Sequence, residues 1–307
     1  MKCYFAIVAP EKEADVYVNM LEVAIKSAQQ NTSLQICVLY DGPTEHYCYR
    51  MLKKYGVQII NHTFSHEKDI YRLFDKDFCG RTKDPKLIAS TFMRMDIPFL
   101  EQEEEYVLYT DVDVVFARDV RPEDLPRPEV LAACGEFSSQ KDMNAYFNAG
   151  ILLLNVKNMR RYCEMIFQDL ENGVVEQGFD QGYLNKYCHK ERTWLPVEYN
   201  WKPYWGINKD AVIIHYHGLK PGGTNETSGF GMSDRIIMNT TKSGSNLAGY
   251  AYYYSIYFHI LDSVDTKIWM EWLANLLGLA LDLRLAQQEE FLKTAINKER
   301  AGGYNVS

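Results

Sequence analysis

Two aspartates, Asp111 and Asp113, stand one residue apart inside the run Glu105-Tyr-Val-Leu-Tyr-Thr-Asp-Val-Asp-Val-Val-Phe116. The residues around them are apolar and mostly β-branched or aromatic, the composition of a buried strand. Two like charges at the end of such a strand are costly unless a cation offsets them. A hard divalent ion, held between carboxylates and substrate phosphates, is one such cation. The bland alternative is a pair of solvated turn carboxylates. A second group of polar residues follows another short apolar run, Ile213-Ile-His-Tyr-His-Gly-Leu-Lys-Pro221. His215 can supply a nitrogen ligand, which moves ion preference from Mg²⁺ towards Mn²⁺. Gly218 permits close backbone approach to a phosphate, and Lys220 can neutralise it as a point charge. Taken alone, a histidine is more often a satisfied polar residue than a ligand. Two histidines, a glycine and a Lys-Pro pair within seven residues strengthen the functional reading.

The elements that must position these groups read as alternating strands and helices. Strands are expected at Tyr4–Ala9, Leu34–Tyr40, Val57–Ile60, Tyr106–Tyr109, Ile151–Val156 and Ala211–Tyr216. Helices are expected at Ala14–Gln29, Glu45–Tyr55, Leu87–Leu100, Met159–Leu170 and Phe179–Tyr187. This rhythm predicts an α/β fold, a mainly parallel sheet with helices on both faces. Ligands of such sheets bind beyond the carboxyl ends of the strands, where Asp111 and Asp113 fall. The stretch 223–249 is rich in Gly, Ser, Thr and Asn and reads as a loop or linker. Residues 250–307 read as a helical extension, with an apolar helix at Thr266–Arg284 that carries Glu271 and Asp282 and so is not a membrane span. The domain expectation is therefore a catalytic unit at 1–222, the linker, and the extension.

The chain has 307 residues, enough for one large α/β domain with an appendage. A net charge of −8 with no basic tract argues against nucleic acid as a partner. Seven cysteines, an odd number without a CxxC pair, read as small buried hydrophobes in a reducing compartment. The N-terminus opens on a strand-like run with no basic n-region, so no secretory signal is expected. The expected location is cytoplasmic, with peripheral contact at the inner face of the membrane as a further expectation.

Four segments together, Tyr109-Thr-Asp-Val-Asp113, Phe147-Asn-Ala-Gly150, Asp180-Gln-Gly-Tyr-Leu-Asn185 and His215-Tyr-His-Gly-Leu-Lys-Pro221, resemble family 8 of the glycosyltransferases. That family includes glycogenin and bacterial lipopolysaccharide galactosyl- and glucosyltransferases. The resemblance covers about residues 1–222. It implies a GT-A (Rossmann-like) fold, a UDP-sugar donor, a glycan or lipid-linked acceptor, and hexose transfer with retention. It assigns Asp111, Asp113 and His215 to Mn²⁺, with Mg²⁺ as the alternative ion. Gly218 and Lys220 would hold the diphosphate, Arg94 would sit beside the donor, and Val112 would contact it between the two acids. Asn148, Asp180 and Gln181 would line the sugar, with Asp180 and Gln181 as the catalytic pair. Ala9 and Tyr17 fall where the family holds uracil; a helix-face aromatic packed in the core is the other reading of Tyr17. Three departures stand out. Gly182 replaces a frequent acid, Gly222 replaces a frequent Trp, and the loop after His215 is one residue short.

Two rival readings remain at this level. One is a metal-dependent phosphatase or phosphotransferase using Asp111 and Asp113; a dehalogenase-type phosphatase carries a similar Asp-x-Asp pair, but on its first strand. The other is a non-catalytic nucleotide-sugar-binding module. The acceptor pocket is expected in the loop Phe64–Asp84 and in the region after Gly222. The apolar C-terminal helix is expected to pack on the same domain or on a second subunit, with amphipathic contact to a membrane surface or an adjacent module as the other reading.

Overall fold

A computed structural model describes residues 1–10, 16–74, 85–136, 146–217, 220–221 and 247–261. Its centre is a seven-stranded sheet built from β1 (Lys2–Val8), β2 (Gln35–Asp41), β3 (Gln58–Asn61), β4 (Tyr106–Thr110), β6 (Leu131–Gly135), β7 (Phe147–Asn155) and β8 (Arg192–Trp194). The spatial order is β3-β2-β1-β4-β7-β6-β8. Strand β7 pairs antiparallel with both β4 and β6, while every other pairing is parallel, so β7 alone runs against the rest. The sheet is thus mostly parallel, as the βα rhythm predicts. A two-stranded ribbon of β5 (Val114–Phe116) and β9 (Ile213–His215) stands beside it.

The central strands are apolar on both faces because both are covered. In β1, Cys3, Phe5 and Ile7 face one apolar layer with Val18, Leu21 and Ile25 of α1 (Val16–Asn31) and Met51 and Leu52 of α2 (Tyr47–Lys54). Tyr4 of the same strand faces the opposite layer. There it packs with α3 (Glu67–Phe74), α4 (Pro85–Phe92), α5 (Ile97–Leu100), α6 (Val156–Asn172) and α7 (Phe179–Cys188). The alternation follows the period of two of an extended chain. Six cysteines are buried among these side chains, as expected, while Cys79 lies outside the described residues.

Several boundaries differ from the sequence expectation for identifiable reasons. The helix expected over Leu87–Leu100 is broken: α4 ends at Phe92, Met93–Met95 form a 3-10 turn, and α5 begins at Ile97. Pro98 has no N–H and its ring clashes with the carbonyl four residues back, so a continuous helix cannot pass Arg94. The break sets Arg94 in the turn. The region expected to be a loop from Phe64 contains α3, whose eight residues bury only Ile70 and Leu73. Its short apolar stripe is hidden among charges. In α6, Asn155 caps the N-terminus by accepting from the Asn158 N–H, and Gly173 ends it at φ 77°.

The aromatic run after the linker forms α8 (Leu247–Ile260). Tyr250, Tyr253, Tyr254 and Tyr257 are buried against Met20 and Val23 of α1, Val115 of β5, and Ile214 and Tyr216. The Tyr216 and Tyr254 rings stack with an interplanar angle of 6°. This helix therefore packs on the same unit as the sheet. No described helix is long and apolar enough to cross a membrane. The expected helix at 266–284 and most of the linker lie outside the described residues.

Candidate active site

Strand β4 delivers Asp111 to its carboxyl end, beside the antiparallel β7. The Asp111 N–H donates to the Gly150 carbonyl at 2.7 Å. Three residues on, β5 pairs with β9 so that Val114 lies opposite His215, which brings the imidazole beside Asp113. Asp111, Asp113 and His215 thereby offer ligand atoms that all lie within 4.8 Å of one another. His215 Nε2 is 3.4 Å from Asp113 Oδ1. Asp113 and His215 are buried, whereas the Asp111 side chain is 31% exposed, so the group opens to solvent on the Asp111 side. Two oxygen donors and one nitrogen donor around one point suit a divalent ion such as Mn²⁺.

The space around that point is kept by Gly150. A Cβ there would lie 2.9 Å from Asp111 Oδ2, 3.0 Å from Asn148 Oδ1, and closer still to the His215 ring. A glycine is required for packing alone.

Cations balance the carboxylates. Lys220 pairs closely with Asp113 Oδ2 and donates to the Tyr216 carbonyl at 3.1 Å. Burial by itself would raise the Asp113 pKa, but the Lys220 ammonium holds it well below the usual carboxylate range. Arg94 lies buried under Asp111. Its Nη2 donates to Asp111 Oδ1 at 2.8 Å, its Nη1 to the Ala149 carbonyl, and its Nε sits 3.1 Å from Asp180 Oδ2. The guanidinium also covers the Tyr109 ring at 4.4 Å, and Tyr109 donates its hydroxyl to Asp111 Oδ1 at 2.8 Å. Burial pushes the Asp180 pKa up to about 6, against the pull of Arg94.

Asp180 and Gln181 open α7, which starts from two left-handed residues, Gly178 (φ 89°) and Phe179 (φ 55°). For Phe179 this conformation costs about 1–2 kcal/mol. Gln181 Oε1 accepts from the Ala149 N–H at 2.8 Å and from Asn148 Nδ2 at 3.3 Å. Gln181 Nε2 donates to Glu136 Oε2 at 3.1 Å. Asn148, 3% exposed, has both ends of its amide engaged inside the protein. Arg94, Asp111, Asp113, Asn148, Asp180, Gln181, His215 and Lys220 thus form one connected cluster.

The other expected residues stand at its margin. Ala9 follows β1 and donates its N–H to the Asp41 carbonyl at 2.8 Å. Tyr17, in the first turn of α1, is partly buried against the α8 layer, yet close enough to Lys220 to act on its charge. Val112 is partly buried against the α1 layer. Gly218 and Gly222 lie outside the described residues.

Gly182 has a steric explanation. The Gln177 carbonyl occupies the space a Cβ would need, so no acid fits at this position. The carboxylate beside Gln181 comes instead from Glu136, 7% exposed at the end of β6. Glu136 Oε2 accepts from Asn148 Nδ2 at 2.7 Å, and Oε1 lies 3.0 Å from His217 Nε2. Lys202, fully buried, donates to the Gly135 carbonyl at 2.8 Å and to the Glu136 carbonyl. Sequence reasoning missed Glu136, Asn200 and Lys202. For Glu136 the signal was present: an acid closes the apolar run Leu131–Gly135, as Asp111 closes β4.

A family model described as "Glycosyl transferase family 8" matches residues 13–223. Among solved structures, the galactosyltransferase LgtC in complex with donor and acceptor sugar analogues aligns at a TM-score of 0.56 and 20% identity, over 80% of this chain and 97% of that one. The glycosyltransferase GlyE of Streptococcus pneumoniae TIGR4 aligns at 0.54 and 19%, over 89% of this chain and 64% of that one. Mouse xyloside xylosyltransferase 1 aligns at 0.51 and 12%, over 70% and 97%. No curated protein matches the sequence significantly. The likeness to these structures is one of fold, the GT-A form of α/β architecture.

Proposed function

This chain belongs to glycosyl transferase family 8, and on that basis we propose that it moves a hexose from a UDP-sugar to a glycan acceptor with retention, using Mn²⁺. The chain is a glycosyltransferase by family; the donor, ion and stereochemistry are the proposal. One observation carries it. Asp111, Asp113 and His215, from two separate segments, converge within 4.8 Å beyond the end of β4. Asp111 and His215 face a gap that only a glycine leaves open. A divalent ion held there supplies positive charge to the departing diphosphate.

The side chains divide the remaining work. Lys220 exchanges its contact with Asp113 for the diphosphate when the donor enters, which brings a second cation to the leaving group. Arg94 keeps Asp111 oriented and Asp180 close. The glycosidic carbon becomes oxocarbenium-like as its bond to the phosphate oxygen lengthens. A double displacement requires a nucleophile on the opposite face. Gln181 Oε1 is occupied by two N–H donors, and Asp180 faces Arg94. Same-face attack by the acceptor hydroxyl fits these groups better. The new C–O bond forms, the C–O bond to the diphosphate breaks, and the hydroxyl proton passes to the departing phosphate oxygen.

The test is hydrolysis of a panel of UDP-hexoses without acceptor, in Mn²⁺, in Mg²⁺ and in chelator. We expect one sugar to be hydrolysed, fastest in Mn²⁺ and not in chelator. Phosphate release from a simple phosphomonoester would favour a phosphatase. Tight UDP-sugar binding without turnover, with or without acceptor, would favour a binding module. A glycosyl adduct trapped on Asp180 would overturn the same-face mechanism.

A further inference from the structure

Behind the metal-ligand candidates runs a buried chain of side chains whose polarity is fixed at one end. Burial pushes the Glu136 carboxyl up, but His217, 3.0 Å from Oε1, and then Lys202 and Asn148 hold it well below the usual carboxylate range. An ionised carboxylate only accepts hydrogen bonds. Asn148 must therefore turn Nδ2 towards it, at 2.7 Å, and Oδ1 away. The Gly150 N–H, which only donates, meets that Oδ1 at 3.0 Å and fixes the same orientation independently. Asn200, fully buried at the end of the turn Val197–Asn200, must then donate Nδ2 to Asn148 Oδ1, at 2.9 Å. Its own Oδ1 is left facing His215 Nδ1 at 2.9 Å. An amide oxygen only accepts, so Nδ1 carries the proton.

We propose that Asn200, oriented by Asn148 and Glu136, is a positioning residue that holds His215 in its Nδ1–H tautomer and so presents a bare Nε2 to the metal site. The inference rests on the metal-site reading above. The tautomer decides whether His215 can be a ligand, because the coordinating nitrogen needs its lone pair. Reversing either amide would set donor against donor or acceptor against acceptor inside a dry interior, where each mismatch costs about 1–3 kcal/mol. The tautomer is thus set before any ion arrives, by a carboxylate three side chains distant. Two further features agree. The backbone N–H of His215 donates to the Trp201 carbonyl at 2.8 Å, which ties the β9 strand to the segment carrying Asn200. Nε2 points at Asp113 Oδ1 across 3.4 Å, and two lone-pair atoms so placed call for a cation at the same point.

The test uses the full chain with Asn200→Ala and Asn200→Asp. Long-range ¹H–¹⁵N NMR of the metal-free protein reads the His215 tautomer, with Mn²⁺ binding followed by electron paramagnetic resonance. In the wild type we expect the Nδ1–H form. Asn200→Ala should weaken Mn²⁺ binding about 10–100-fold, the scale of an outer-shell ligand partner. Turnover should then recover at high Mn²⁺ with the KM for the UDP-sugar unchanged. Asn200→Asp keeps an acceptor at Nδ1 but sets its second oxygen against Asn148 Oδ1, so it should retain the Nδ1–H tautomer in a protein of lowered Tm. The proposal is overturned by an Nε2–H tautomer in the wild type. It is equally overturned by a folded Asn200→Ala that binds Mn²⁺ as the wild type does, or by an Asn200→Asp whose His215 is in the Nε2–H form. Should Asn200→Ala not fold, the wild-type spectrum and Asn200→Asp still decide. A wild type that binds no Mn²⁺ at all removes the metal-site reading itself, which distinguishes the two failures.

Discussion

Replacing Gly150 with alanine probes the site with a single methyl group. The added Cβ would stand 2.9 Å from Asp111 Oδ2 and 3.0 Å from Asn148 Oδ1, and nearer than either to His215 Cε1, where ordinary contact begins at 3.4 Å. Backbone retreat is restricted, since the Gly150 carbonyl accepts from Asp111 and its N–H donates to Asn148. The His215 ring must therefore give way by about 1 Å, and displacement of that size at a reacting centre costs on the order of 10²-fold in rate. The fold should suffer less, because overpacking by one methyl costs about 1–3 kcal/mol, which for a chain of this size lowers Tm by several degrees. The assay is Mn²⁺ titration alongside UDP-sugar hydrolysis, with Gly56→Ala as control. Gly56 has φ 63° with nothing within 4 Å of the added Cβ, so its replacement strains the backbone and leaves the site untouched. A Gly150→Ala protein with wild-type Mn²⁺ affinity and turnover would refute the packing reasoning.

Three other outcomes are expected. Folding raises the Asp180 pKa from 3.8 to about 6, chiefly by burial, so the folded state holds an extra proton between those values. Asp180 therefore contributes about 3 kcal/mol of stability that is present below pH 4 and lost as the pH rises through 6. The difference in unfolding free energy between wild type and Asp180→Asn should show that fall, and a flat difference would contradict the burial assignment. Lys220→Ala should weaken UDP binding about tenfold while tightening Mn²⁺ binding in the absence of nucleotide, because the ammonium competes for Asp113; calorimetry of the two titrations checks both signs. Gly182→Asp should lower Tm by several degrees without adding activity, since the new Cβ meets the Gln177 carbonyl. A stable, more active variant would show that this position does face the sugar.

The sequence makes some of this site legible and hides the rest for physical reasons. Asp111 and Asp113 are visible because charge at the end of a buried strand is a local anomaly. His215 is visible for the same reason. Arg94 stands out only through the family resemblance, because nothing near Thr91-Phe-Met-Arg-Met shows that a helix break at Pro98 sets it beneath Asp111. The three-residue strand β8 is too short to show a period, and α3 carries too few apolar residues to stand out. Asn200 and Lys202 are invisible in sequence. Their roles come from tertiary pairing of β9 with β5 and from proximity to β6, which no local pattern encodes. The aromatic character of α8 is legible, but the residues it covers are not, since its partners Met20, Val115 and Tyr216 are scattered along the chain.

The most direct measurement is a crystal structure with Mn²⁺ and UDP, using anomalous scattering at the manganese edge. One peak is expected, bound by Asp111, Asp113 and His215 Nε2 at about 2.0–2.3 Å, with Lys220 moved from Asp113 to a phosphate oxygen. A manganese ion held elsewhere, or a diphosphate seated with those three side chains unligated, would contradict it.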